Sequence, residues 1–210
     1  MAKSTHGFYE GSYLFSLTFL KESPPEANAR VGVAQISADL QSPLGWDTFG
    51  VAWRGQAIDG NGNPHLAGGG VFCEAKRQKR EARLDTGFLP GDTVTFLLHL
   101  PPGTSPSPQY PPPFKGIPTN LDPHLPIPTP TPIPRIKNSF LAAWRNGEYM
   151  GLVDRDLLYG KWHIGVSCYG GARVKVDMAP SDFSTGEIVV PGMGKMAYQP
   201  WSALRELTQI

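Results

Sequence analysis

The sequence predicts an all-β fold, and three observations support that prediction. Apolar residues make up 40% of the 210 positions and include 10 Phe, 7 Tyr and 5 Trp, which suffices for one hydrophobic core. The 24 Gly and 22 Pro disfavour long helices. Short apolar segments separated by turn residues recur along the chain, as the strands of a β-sandwich do. We therefore expect one sandwich domain.

Three strands are predicted before residue 55. Gly11–Leu20 is rich in aromatic and aliphatic residues and precedes a proline pair that cannot join a ladder. Arg30–Ala38 and Phe49–Arg54 alternate apolar with small or polar residues, which indicates half-buried strands. In the third of these strands we expect Phe49 and Trp53 to share the face that packs into the core.

The middle of the chain contains one strong strand and two loops. Ala57–His65 carries Asp-Gly and Asn-Gly dipeptides, which predict a hairpin connection or an exposed loop. Thr93–Leu100 is the most continuously apolar segment, so we expect a central strand packed on both faces. Pro101–Pro134 holds 14 of the 22 prolines, which predicts a flexible polyproline-like insertion.

Strand patterning resumes after the proline-rich insertion. Ser139–Trp144 and Tyr149–Val153 flank the turn Arg145–Gly147, and this is the strongest hairpin signal of the chain. Trp162–Tyr169 and Arg173–Met178 complete the predicted strands. Because neither half of the chain has enough strands to cover its own edges, both halves should belong to one sandwich.

The sequence contains no residue set suited to catalysis or metal binding. Cys73 and Cys168 are too few for a disulfide framework and form no C-x-x-C pair, which favours a reducing compartment. Gly165–Gly170 contains a serine, but its spacing is one residue too long for a nucleophile elbow. Gly192–Lys195 lacks the residues of a phosphate loop and is predicted to be a turn. No metal-ligand spacing occurs among the histidines, which are His6, His65, His99, His124 and His163. We predict no cofactor.

The distribution of charge gives one further candidate site. A formal net charge of +1 is too small for nucleic-acid binding by overall charge, and we find no signal peptide or membrane-spanning apolar stretch. We therefore expect a soluble intracellular protein with no membrane partner. A basic run comprising Lys76, Arg77, Lys79, Arg80 and Arg83 could contact nucleosomal DNA by counterion release. A solvated loop is an equally good interpretation of such a run.

Several motifs follow one another in a distinctive order. They are Arg30–Val33, Ser42–Asp47, Phe49–Arg54, the Gly-Asp pair before Thr93–Leu100, and Tyr198–Pro200. Together they resemble the SPRY domain of the Ash-two family, which includes the Bre-two subunit of the Set-one complex COMPASS. The Pro-Leu-Gly-Trp-Asp segment, followed by a strand that ends in Trp-Arg, is the most specific part. The resemblance covers nearly the whole chain.

The resemblance implies a bent two-sheet antiparallel sandwich that acts as a non-catalytic subunit of a nuclear histone H3 lysine 4 methyltransferase complex. Its partners would be a WD-repeat subunit, which offers an acidic segment, and the SET-domain subunit, whose activity it would support. Carried over by position, Arg30, Pro43 and Arg54 would receive the acidic segment. Planar guanidinium groups suit paired hydrogen bonds to carboxylates, although many arginines on strands are merely solvated.

The chain departs from the family pattern at both ends. Fuller members carry zinc-binding and winged-helix domains ahead of the SPRY unit, and the sequence contains neither. They also end in a helix that docks a dimeric Dpy-thirty or Sdc-one type subunit. After Pro200 the chain offers one apolar stripe at Trp201, Leu204 and Leu207, and such a short segment is marginal as a helix. We therefore expect a domain at 1–200 with a short tail at 201–210. A truncated fragment would also explain these departures, and the short tail argues against binding of the dimeric partner.

Two other functions remain open at this point. A SPRY domain can also recruit substrates to a ubiquitin ligase or another signalling complex, and the surroundings of Pro43 and Arg54 disfavour that alternative without excluding it. An enzyme is the third possibility, and it rests on isolated histidines and one misspaced serine. Identification of the subunits that co-purify with the protein would separate the first two functions.

Overall fold

The computed structural model describes residues 1–56, 69–103, 134–180 and 186–201. The strands and the short helix within these ranges are β1 (Ala2–Phe8), β2 (Gly11–Phe19), β3 (Asn28–Gln35), β4 (Gly50–Arg54), β5 (Gly70–Cys73), β6 (Lys76–Gln78), α1 (Ala82–Asp85), β7 (Thr93–Leu100), β8 (Phe140–Arg145), β9 (Glu148–Arg155), β10 (Trp162–Tyr169), β11 (Val174–Asp177), β12 (Glu187–Val190), β13 (Gly194–Ala197) and β14 (Gln199–Pro200). The predicted loop Ala57–His65 and most of the insertion Pro101–Pro134 lie outside the described residues.

The strands form two large sheets and a separate hairpin. The first sheet has the order β1-β10-β3-β4-β5-β6, and the second has the order β11-β2-β7-β8-β9. The neighbouring strands of both sheets are antiparallel, while the short strand β14 adds to β2 in parallel. Strands β12 and β13 pair with each other. This architecture confirms the predicted all-β, two-sheet antiparallel sandwich.

The main core lies between the two sheets. Val31 and Val33 of β3 reach it together with Val51 and Trp53 of β4, because alternate side chains of a strand point to the same face. Trp53 is fully buried, and its indole N–H donates a hydrogen bond of 2.7 Å to the carbonyl oxygen of Leu84. Burial of an apolar side chain of this kind contributes about 1.5–3 kcal/mol. The prediction that Trp53 belongs to the core is confirmed.

Strand β7 is central in the second sheet and is packed on both faces, as its continuous apolar sequence predicts. Phe96 and Leu98 point into the main core. Leu97 points the other way, into a second apolar cluster that contains Ile188 and Val190 of the β12–β13 hairpin. The hairpin therefore covers the outer face of the second sheet. Lys195, which the sequence assigned to a turn, lies within β13.

The β3–β4 loop covers part of the outer face of the first sheet. Leu44 at its centre is fully buried in a small cluster with Ala34 and Ala52, and a Cβ atom at Gly165 would lie only 2.8 Å from Leu44 Cδ1. Phe49 packs against this outer cluster. The expectation that Phe49 shares the core face with Trp53 was wrong, because Phe49 precedes β4 and belongs to the loop.

Candidate partner-binding site

Two arginines form the centre of the candidate site. Arg30 of β3 and Arg54 of β4 are directly opposite each other in the antiparallel ladder. Their neighbours Val31 and Trp53 point into the main core, so both arginines extend from the outer face of the first sheet. Both are half-buried. The sequence could not establish this pairing, because it depends on the register between the two strands.

An aromatic ring lies against both guanidinium groups. Phe72 of β5 has its ring centroid 4.3 Å from Arg30 Cζ and 5.8 Å from Arg54 Cζ. Both distances are within the range of cation–π attraction. Phe72 was missed by the sequence analysis, since β5 follows a glycine run and was not recognised as a strand. Had it been recognised, the period of two would have assigned Phe72 to the face opposite Val71.

Arg30 is held by the β3–β4 loop as well as by the ring. One terminal nitrogen, Nη1, donates a hydrogen bond of 3.1 Å to the carbonyl oxygen of Leu44. The Nε atom is buried and has no hydrogen-bond partner among the described residues. Burial lowers the pKa of Arg30, the nearby Tyr169 raises it, and the positive charge of Arg54 lowers it further. An arginine nevertheless keeps its charge in proteins, so the site presents two adjacent cations.

Pro43 is in the same loop, immediately before Leu44. It is half-buried, and its carbonyl oxygen accepts a hydrogen bond of 2.9 Å from the backbone N–H of Trp46. The Trp46 side chain is 54% exposed, which is unusual for so large an apolar group. The loop therefore carries two apolar side chains, Pro43 and Trp46, before and after Leu44, whose carbonyl oxygen fixes Arg30. Pro43 was predicted from the sequence as a site residue, whereas Trp46 was not.

Asp47 gives the same loop a defined shape. Its carboxylate accepts hydrogen bonds of 2.9 Å from the backbone N–H groups of Asp39 and Phe49. Lys3 of β1 donates to three carbonyl oxygens at the start of the loop, those of Gln35, Ile36 and Ala38. These contacts fix both ends of the segment that contains Pro43.

The basic run lies on β6, on the connection that follows it and, at Arg83, in α1. Three of its arginines have acidic partners: Arg77 Nη2 is 3.6 Å from an oxygen of Asp85, Arg80 Nη2 is 2.7 Å from Asp154, and Arg83 Nη1 is 2.8 Å from Glu148. Lys76 and Lys79 are exposed.

Arg77 also belongs to the surface that carries the paired arginines. Its Cα is opposite that of Phe72, and a Cβ atom at Gly70 would be only 2.6 Å from Arg77 Nε. Gly70 is in turn opposite Arg54. The side chain of Arg77 therefore lies across Gly70 and extends the row of cations from β3 to β6.

Three other side chains that could act as nucleophiles or bases, Cys73, Ser167 and His163, are packed or hydrogen-bonded within the fold. Burial raises the pKa of the Cys73 thiol to about 11, which keeps it protonated and a poor nucleophile near neutral pH. Ser167 Oγ accepts a hydrogen bond of 2.8 Å from the backbone N–H of Leu44. His163 is buried, with Nδ1 2.9 Å from the carbonyl oxygen of Ser4. In the part of the chain that the structure describes, we find no group of three His, Cys, Asp or Glu side chains able to hold a metal ion, and no helix able to span a membrane.

The curated proteins to which the chain is similar include two Set1/Ash2 complex subunits. The chain is 27% identical over 203 residues to the Set1/Ash2 histone methyltransferase complex subunit ASH2 of Drosophila melanogaster, a match that covers 93% of this chain and 33% of the relative. It is 24% identical over 196 residues to the corresponding subunit ash-2 of Caenorhabditis elegans, covering 86% of this chain and 32% of the relative. The chain thus spans about a third of the length of these relatives.

Among solved structures, the SPRY domain of human HERC1 is similar, with a TM-score of 0.49 and 15% identity over 83% of this chain and 79% of that one. No known family profile matches the chain.

The two antiparallel sheets define the class of protein as a two-sheet β-sandwich. The similarity to both curated relatives extends along most of the chain and agrees with the resemblance predicted from its motifs. The chain is thus similar over most of its length to a domain-sized part of these Set1/Ash2 complex subunits.

Proposed function

We propose that this domain is a non-catalytic subunit of a nuclear histone H3 lysine 4 methyltransferase complex of the Set1/Ash2 type. In this proposal Arg30, Pro43 and Arg54 bind an acidic segment of the WD-repeat subunit. The bound assembly supports the activity of the SET-domain subunit by holding subunits together, so its contribution is binding free energy rather than chemistry. The proposal is supported by similarity along 93% of the chain to a subunit whose name gives that complex.

The single structural observation in favour of an acidic ligand is the cation pair. Arg30 and Arg54 are adjacent on an outer face, and the guanidinium group of Arg54 has no ion-pair or hydrogen-bond partner among the described residues. Two like charges on opposed strand positions repel each other, so the pair is stabilised by a ligand that carries negative charge. A carboxylate accepts two parallel hydrogen bonds from one guanidinium group.

The loop beside the cation pair fits the apolar residues that would flank such an acidic segment. Pro43 and Trp46 flank Leu44 in the sequence of the loop, and the carbonyl oxygen of Leu44 fixes Arg30. A large aromatic group next to a charged pocket is a common arrangement at interfaces in which a few residues supply most of the affinity. We therefore propose that Pro43 and Trp46 form an apolar wall of the same site.

Calorimetric titration with a synthetic acidic peptide tests the proposal. The probe is an acetylated Ala-Val-Asp-Glu-Glu-Val-Ala peptide, and the matched control peptide has Asn-Gln-Gln in place of Asp-Glu-Glu. Each charge-assisted contact is worth about 1.5–3 kcal/mol, so Arg30→Ala and Arg54→Ala should each weaken binding at least about tenfold. Arg54→Lys should recover only part of the loss, because an ammonium group lacks the planar fork.

Arg83→Ala is the matched protein control, since Arg83 is exposed and pairs with Glu148 on the second sheet. It should bind the acidic peptide as the wild type does. Equal affinity of wild type, Arg30→Ala and Arg54→Ala, all shown to be folded, would remove these residues from the site. Affinity purification from native cells tests the complex itself, and absence of SET-domain and WD-repeat subunits would contradict the assignment.

The basic run is proposed as a second, weaker contact with nucleosomal DNA. Because Arg77, Arg80 and Arg83 already have acidic partners, the proposal now depends mainly on Lys76 and Lys79. Replacing both lysines by glutamine should lower nucleosome association and reduce its dependence on salt, measured by mobility shift at two salt concentrations. The acidic-peptide affinity should not change, and an equal loss of both activities would assign the run to the peptide site instead.

A further inference from the structure

We propose that Phe72 is a positioning residue of the acidic-segment site, and that it holds the guanidinium groups of Arg30 and Arg54 side by side so that both meet carboxylates at once. The inference rests on the proposed function and adds a residue to it. Phe72 itself need not contact the ligand. Its role is to fix the geometry of two cations before the ligand arrives.

The positions of small residues explain how the ring reaches both arginines. Phe72 is opposite Ala52 in the ladder, and Ala52 is opposite Gly32. This row of small side chains runs next to the row formed by Arg30 and Arg54. No bulky side chain in this row blocks the approach of the ring, which lies within cation–π distance of both guanidinium groups.

The backbone of Phe72 is held tightly against the β3–β4 loop. A Cβ atom at Gly45 would be 2.5 Å from the carbonyl oxygen of Phe72, and the φ angle of Gly45 is +79°, which favours glycine. The backbone N–H of Ala75, in the β5–β6 turn, donates a hydrogen bond of 3.0 Å to the carbonyl oxygen of Gly45. The loop that fixes Arg30 through Leu44 thus also fixes the strand that carries the ring.

The Phe72 ring also interacts electrostatically with the two guanidinium groups. The face of an aromatic ring is negative and attracts a cation, so it offsets part of the repulsion between two adjacent guanidinium groups. The guanidinium group of Arg30 is additionally restrained by Leu44, whereas that of Arg54 has no hydrogen bond to a described residue, so the ring is its principal restraint in the described structure. Preorganisation of a site raises affinity because fewer side chains must be ordered on binding.

The test compares Phe72→Leu, which keeps an apolar side chain of similar volume, with Phe72→Tyr, which keeps the aromatic face. Loss of a cation–π contact corresponds to about a threefold to tenfold loss of affinity for the acidic Ala-Val-Asp-Glu-Glu-Val-Ala probe. Phe72→Tyr should bind within about twofold of wild type. In an Arg30→Ala, Arg54→Ala background, Phe72→Leu should cause no further loss, because nothing remains for the ring to position.

A second measurement does not depend on the variants folding. Side-chain NMR resonances of Arg30 in the wild type should be displaced upfield by the ring current of Phe72, since the centroid is 4.3 Å from Cζ. Absence of that displacement overturns the stacking arrangement. If the wild type fails to bind the probe, the proposed function is contradicted. If the wild type binds, the arginine variants lose binding and folded Phe72→Leu has the same affinity as the wild type, only the role of Phe72 is overturned.

Discussion

His163 shows how a single buried side chain joins the first strand to the rest of the sheet. Its Nδ1 is 2.9 Å from the carbonyl oxygen of Ser4, which can only accept, so Nδ1 carries the proton. Nε2 is then a bare acceptor, and it is buried with no partner among the described residues. Burial lowers the pKa of His163, the carbonyl of Ser4 raises it, and the positive charges of Lys161 and Lys3 lower it.

This arrangement predicts a pH dependence of stability. The folded pKa of His163 lies below the unfolded value of 6.5, so the unfolded state binds more protons between these two values. The neutral histidine therefore stabilises the fold above 6.5, and that contribution is lost as the pH falls toward the folded pKa. His163→Asn should show a smaller fall in unfolding free energy between about pH 7.5 and about pH 5.5 than wild type does. Chemical denaturation at both pH values measures it, and parallel pH profiles would contradict the prediction.

The segment from β6 to α1 connects the two sheets through side-chain contacts. Arg80 donates from Nε to the carbonyl oxygen of Val153 at 2.9 Å and from Nη2 to Asp154 at 2.7 Å, so it joins the edge of the first sheet to β9 of the second. Burial raises the pKa of Asp154, and the charge of Arg80 acts against that rise. The basic run, which in the sequence resembles a solvated loop, thus contains at least one residue, Arg80, that holds the two sheets together.

Two ion pairs of this segment should contribute differently to the free energy of unfolding. The Arg80–Asp154 side chains are 29% and 11% exposed, whereas the Arg83–Glu148 side chains are 61% and 64% exposed. Arg80→Met should cost about 1–3 kcal/mol of unfolding free energy, because it leaves a buried carboxylate without its partner. Arg83→Met should change stability by less than about 0.5 kcal/mol. Urea denaturation of both variants measures the contrast, and adding Asp154→Asn to Arg80→Met should restore part of the loss.

Strands with a regular apolar pattern were predictable, and strands defined by their neighbours were not. Trp162–Tyr169 and Thr93–Leu100 have the predicted bounds, because their own residues specify burial. Strand β1 contains few buried residues and forms by pairing with β10. The β5–β6 turn is formed by Glu74 and Ala75 with φ of 56° and 58°, so no glycine or asparagine marks it. Because this turn could not be recognised, strand β5 was not predicted. The position of Phe72 on β5, and therefore its contact with the two arginines, could not be predicted either.

At the scale of the whole molecule, the two ends of the described chain meet inside the sandwich. Trp201 follows β14, is 2% exposed, and has its ring 4.5 Å from Phe8 of β1 and 5.0 Å from Phe15 of β2. Phe8 belongs to the first sheet and Phe15 to the second. Trp201 therefore joins both sheets, and the packed domain reaches at least residue 201, while Leu204 and Leu207 lie outside the described residues.

The packing of Trp201 between the two sheets leads to a prediction about the stability of the sandwich. Trp201→Ala removes a large buried ring and should lower the unfolding free energy by about 3–5 kcal/mol. Trp201→Phe should cost less, because the smaller ring keeps much of the packing and the indole N–H has no hydrogen-bond partner among the described residues. Trp46→Ala is the matched control, since Trp46 is 54% exposed. This substitution should change the unfolding free energy by less than about 1 kcal/mol, and it should weaken binding of the acidic peptide. Thermal and urea denaturation measure all three variants. A Trp201→Ala protein as stable as Trp46→Ala would show that the chain end does not close the sandwich in solution, and that the core between β1 and β2 is sufficient without it.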